Sequence, residues 1–83
     1  MTTLERLQEM LARDFELAKG ALVPDATLES LDIDSLRMIE ILFSVEDAFA
    51  ITVPAEPAEL RARVHTLGDL ASYIDELVSA KAA

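Results

Sequence analysis

Leu4, Leu7, Leu11, Phe15 and Ala18 recur at helical intervals, with Glu5, Arg6, Glu9 and Arg13 on the other face. This rhythm predicts an amphipathic helix over residues 3 to 18, with Thr3 placed to cap it and Lys19-Gly20 to end it. From Lys19 to Asp34 the periodicity disappears. Pro24-Asp25 marks a turn, yet Leu22, Val23, Leu28, Leu31 and Ile33 are too apolar for a solvated linker. So long a connection is expected to lie across the molecule with those five side chains tucked in. A second helix is predicted from Ser35 to Phe49. A short third one begins after Pro54 and ends before His65, with Pro57 in its first turn, where a missing N–H costs nothing. Thr66-Leu67-Gly68-Asp69 has the spacing of a capping box and opens a fourth helix. Its buried stripe would be Leu67, Leu70, Ala71, Ile74, Leu77 and Val78, and residues 79–83 would form a frayed tail. The expected fold is all-α: a four-helix bundle of three main helices and one short helix, with a long loop between helices 1 and 2, as one domain over residues 1–83.

The second helix carries more apolar surface than one core face requires. At 100° per residue, Met38, Ile41, Leu42, Val45 and Phe49 share one broad side, while Leu36, Ile39 and Phe43 form a separate cluster. Arg37, Glu40, Ser44 and Asp47 make up the polar remainder, and Glu46 lies between the two apolar sectors. Two readings stand. Either the helix is buried nearly all round, or Leu36, Ile39 and Phe43 face a partner, flanked by Glu40, Glu46 and Asp47 that would steer a basic surface.

Composition narrows the function. The 83 residues are 52% hydrophobic and hold sixteen acidic against seven basic side chains, a net charge of -9. That sign excludes phosphate-neutralising binding to nucleic acid and suits a basic protein partner. No apolar run approaches a membrane span. With no cysteine and His65 as the single histidine, no thiolate metal site, catalytic thiol or supported catalytic triad is expected, and so neither enzyme nor metal site. The N-terminus, Met1-Thr2-Thr3-Leu4-Glu5-Arg6, has no apolar core of a signal peptide, which points to the cytoplasm. Asp32 and Asp34 suit the first positions of a calcium loop, but Arg37 and Phe43 then occupy the glycine and bidentate glutamate positions.

The segment Leu31-Asp32-Ile33-Asp34-Ser35-Leu36 joins the long loop to the second helix. Taken alone, Asp34 or Ser35 reads as an N-cap, worth about 1 kcal/mol. The chain as a whole, however, resembles an acyl carrier protein of the phosphopantetheine-dependent family. The likeness rests on a helix, a long loop, Asp34-Ser35-Leu36 opening an acidic helix, Phe49-Ala50-Ile51 closing it, Val53-Pro54, a short helix, and Thr66-Leu67-Gly68-Asp69.

The resemblance implies that Ser35 receives 4′-phosphopantetheine from coenzyme A by the action of a phosphopantetheinyl transferase. The arm would hold acyl groups as thioesters for fatty-acid, polyketide or specialised lipid pathways. It also implies docking of acyl-transferring or acyl-activating enzymes with basic surfaces on Asp34, Leu36, Ile39, Glu40, Phe43 and Asp47, with the carrier a monomer. No histidine stands beside Ser35 in sequence, so the base must come from the transferase. Asp32 and Asp34 oppose a phosphodiester by like charge and are expected to serve that enzyme. Three departures favour a specialised carrier: Arg37 stands where fatty-acid carriers often have an acid, Ala50 replaces a glycine and suggests a less regular helix stop, and the stretch from Pro54 to Gly68 is long. An aminoacyl or peptidyl carrier is the alternative within the family, and a non-carrier acidic interaction module the alternative outside it.

Overall fold

In the computed structural model, residues 2–54 and 56–82 are described; Met1 and Ala83, the ends of the expected domain, lie outside the described residues. Helix α1 spans Thr3–Asp14, α2 Ser35–Phe49, α3 Pro57–Arg63 and α4 Leu67–Ala82, with a 3₁₀ turn at Lys19–Ala21. The architecture is the expected all-α bundle. Helix α1 packs on α4 and on α2, and α2 packs on α3.

The ends of α1 differ from the expectation. Thr2 caps it rather than Thr3: the Thr2 hydroxyl accepts the Glu5 N–H at 3.1 Å, and the Glu5 carboxylate accepts the Thr2 N–H at 3.1 Å. The Thr2 N–H donated to its carboxylate favours the ionised Glu5 and holds its pKa below the ordinary value. Thr3 is the first helical residue, and its hydroxyl donates to the Asp75 carboxylate at 2.8 Å, tying α1 to α4. At the other end α1 stops at Asp14, not residue 18. Glu16 turns left-handed, φ 55°, and the Leu17 N–H reaches back to the Leu11 carbonyl at 3.4 Å. The reversal occurs before Gly20 is reached, so that glycine lies in the 3₁₀ turn.

The long loop buries four of its five large apolar side chains: Leu22, Leu28, Leu31 and Ile33. Val23 is the exception, 48% exposed, because the turn closed by the Ala26 N–H on its carbonyl holds it at the surface beside Pro24-Asp25. The loop is stitched to the start of α4. Leu28 donates to the His65 carbonyl at 3.0 Å, Leu67 to the Ala26 carbonyl at 2.9 Å, and Gly68 to the Pro24 carbonyl at 2.9 Å. A Cβ on residue 68 would lie 3.1 Å from that carbonyl oxygen, so the close approach favours glycine.

Thr66 caps α4 as its spacing predicts. Its hydroxyl accepts the Asp69 N–H, and the Asp69 carboxylate accepts the N–H groups of Thr66 and His65. The buried stripe of α4 is Leu67, Leu70, Ala71 and Ile74, with Leu77 and Val78 partly covered. Residues 79–82, expected to fray, continue the helix. One cluster unites the buried faces of all four helices with the loop side chains. Each fully buried leucine or isoleucine in it contributes about 1.5–3 kcal/mol by leaving water.

Candidate functional site

The approach to Ser35 is built by local hydrogen bonds. Thr27 accepts the Ser30 N–H on its hydroxyl at 3.1 Å, and the Ser30 hydroxyl donates to the Thr27 carbonyl at 2.8 Å. The chain then turns through Asp32 at φ 57°, a conformation that aspartate adopts more readily than most residues. Leu31 and Ile33, on either side of Asp32, are buried and anchor the turn in the core. Ser35 thus follows a segment fixed on both flanks.

Asp34 is the N-cap of α2. Its carboxylate accepts the Arg37 N–H at 2.8 Å, and its carbonyl accepts the Met38 N–H at 2.9 Å. Ser35 is therefore the first helical residue and is exposed to solvent. This resolves the choice of cap and gives Asp34 a structural task.

Around α2, Met38, Ile41, Leu42, Val45 and Phe49 face the core as the rotation predicts. Leu36 is 66% exposed and Phe43 67% exposed, so the helix is not buried all round. Ile39 is half-buried beside them, and Glu40 and Asp47 are exposed. Two apolar side chains of this size in water, bordered by carboxylates, make a surface that burial against a partner would stabilise.

Glu46 is a correction. It does not flank the exposed stripe as a free charge. Its carboxylate accepts the Val53 N–H at 2.9 Å and fixes the chain after α2. Its carbonyl accepts the N–H groups of Ala50 and Ile51, closing the helix around Ala50 at φ 54° and ψ 47°. The stop is thus a regular left-handed cap made with alanine, not an irregular one.

The contacts of three cations at α2 were not legible in the sequence. Arg6 of α1 donates to the Ala48 carbonyl at 3.0 Å and lies 4.3 Å from the Phe49 ring centre. Lys81 of α4 donates to the Ala50 carbonyl. The helix has no basic residue in its own last turn, so these cations from other helices complement its negative end. At the opposite end, the Arg37 guanidinium lies 5.7 Å from the Phe15 ring centre.

Fold and site together define a small helical module that presents one serine at the start of an acidic helix with an exposed apolar stripe. A family model described as the phosphopantetheine attachment site matches residues 5–74. An acyl carrier protein of Streptococcus pneumoniae serotype 4 is 30% identical over 76 residues, covering 92% of this chain and 96% of that protein. An acyl carrier protein of Streptococcus pyogenes serotype M3 is 29% identical with the same coverage. The chain belongs to the acyl carrier protein family, phosphopantetheine-dependent carriers whose members work with enzymes rather than as enzymes. Its cofactor is 4′-phosphopantetheine. The residues fit that group: an exposed serine gives a phosphodiester linkage access, and the start of a 15-residue helix favours an anion. Among the described residues no helix is long and apolar enough to cross a membrane.

Proposed function

We propose that residues 1–83 form one carrier domain that receives phosphopantetheine on Ser35 from a cytoplasmic phosphopantetheinyl transferase. Bound there, the group supplies a thiol that carries acyl cargo as a thioester. The rest is the work of this chain's own residues. Asp34 holds the first turn of α2, keeping Ser35 at the solvent edge. Leu36, Ile39 and Phe43 offer apolar contact to the transferase and to acyl-handling enzymes, and Glu40 and Asp47 steer their basic surfaces. The observation that carries this reading is the exposure of Leu36 and Phe43 on the helix that Ser35 begins. Acyl cargo of a fatty-acid, polyketide or specialised lipid pathway fits this acidic helix better than aminoacyl cargo, and the named relatives are acyl carriers.

The test is intact-protein mass after incubation with coenzyme A, Mg²⁺ and a broad-specificity transferase. Wild type is expected to gain one phosphopantetheine and Ser35→Ala none. Because Asp34 is the cap, Ser35→Ala is expected to cost about 1 kcal/mol or less and to stay folded by circular dichroism. Labelling of a folded Ser35→Ala variant would move the attachment elsewhere.

A further inference from the structure

Seen down its axis, the exposed side of α2 reads in angular order Ile39, Phe43, Leu36, Asp47, Glu40, Ser44, Arg37. The apolar stripe, the two carboxylates and the arginine are therefore successive strips, and Arg37 lies on the side toward α1, next to Ala48. It is the only cation of α2. It is exposed, and its guanidinium rests against the half-buried Phe15 at the end of α1, which limits the positions the charge takes up. The chain's other described cations act elsewhere where contacts are defined: Arg6 and Lys81 on the carbonyls ending α2, Arg13 on Asp14, and Arg63 over Tyr73. Glu40 and Asp47 form no ion pair among the described residues. The face is thus neither uniformly acidic nor internally neutralised. It carries two uncompensated negative charges and one held positive charge at its rim.

We infer that Arg37 is a specificity-determining residue of this face. The matching partner is a protein that is basic over Glu40 and Asp47, offers an apolar recess to Leu36 and Phe43, and is acidic or neutral at the α1 edge. A partner whose basic surface extends over the whole face gains at Glu40 and Asp47 but meets like charge at Arg37, which lowers its association rate and weakens the complex. Such a residue excludes the wrong partners as much as it selects the right one. The inference rests on the carrier reading, because it supposes that α2 is where partners bind.

The probe is a broad-specificity phosphopantetheinyl transferase with a uniformly basic docking surface, assayed for loading of Ser35 by the full chain at low and high salt. Arg37→Glu is expected to raise kcat/KM about threefold or more at low salt, the order of effect that exposed charge pairs produce, and the gain should vanish at high salt. Arg63→Glu changes the net charge equally but lies against Tyr73 of α4, so it should leave kcat/KM within about twofold of wild type. Phe15→Leu removes the aromatic support and keeps the charge, and should move kcat/KM less than Arg37→Glu. Wild type that loads normally while Arg37→Glu shows no gain, or only the gain of Arg63→Glu, overturns the role of Arg37 and leaves the carrier reading intact. Wild type that is not loaded at all overturns both.

Discussion

Ala50 closes α2 in the left-handed region, where an L-residue meets a steric cost of about 1–2 kcal/mol that glycine does not. Glu16 and Asp32 also have positive φ, and neither glycine of the chain does. The three turns are therefore imposed by what they connect: Leu17 after Glu16, Leu31 and Ile33 around Asp32, and Ile51 after Ala50 all pack on or in the core. At Ala50 nothing argues that the methyl group is needed. Ala50→Gly keeps the N–H donated to Glu46 and relieves the strain, offset in part by the greater freedom of glycine in the unfolded chain. The expected result is a gain of about 0.5–1 kcal/mol, read as a higher urea midpoint with an unchanged slope. A lower midpoint would mean that the alanine methyl packs to more effect than its strain costs.

At the scale of elements, each long helix starts on a side-chain cap, a hydroxyl–carboxylate pair at α1 and α4 and the Asp34 carboxylate at α2, and Asp69 makes this testable by pH. Hydrogen bonds donated to its carboxylate by the His65 and Thr66 backbone amides hold its pKa below the ordinary value of 3.8. A group whose folded pKa is depressed contributes stability above the unfolded value, and that contribution is lost as the pH falls through the folded one. Asp69→Ala should therefore lower the urea midpoint at pH 7, with the gap narrowing below about pH 4 as wild type loses its ionised cap. A gap that is constant with pH would mean that the charge on Asp69 contributes nothing. Local signals of this kind are what the sequence makes legible. Asp34-Ser35 and Thr66 through Asp69 set the starts of α2 and α4 within their own segments, and the core face of α2 follows from its period. The end of α1 falls four residues short of its helical rhythm because it is decided by a left-handed turn at Glu16, for which composition gives no sign. The exposure of Val23 and the bond from Glu46 to Val53 depend on where a loop lies after folding. Lys81 meets Ala50 across 31 positions, a pairing that no window along the chain contains.

Across the whole molecule, the net charge of -9 is unevenly spent. Cations from α1 and α4 support the C-terminal end of α2, while Glu40 and Asp47 on its outer side are left to solvent. Exposed charges like these add little to folding stability, so their substitution should not unfold the chain. Their reach is set by the Debye length, about 10 Å at 0.1 M salt, which is enough to orient an approaching basic surface before contact. If α2 is the docking helix, Glu40→Lys with Asp47→Lys should slow association with the transferase by tenfold or so at low salt. The same double variant should approach wild type as salt is raised, since the apolar contact through Leu36 and Phe43 is not screened. Leu36→Ala with Phe43→Ala should show the opposite pattern, a loss that appears chiefly in dissociation and persists at high salt. Stopped-flow association of the full chain with the transferase, measured from about 0.05 to 0.5 M salt, separates the two contributions. Rates of the lysine double variant equal to wild type at low salt would take docking off this face, whatever the mass of the loaded carrier.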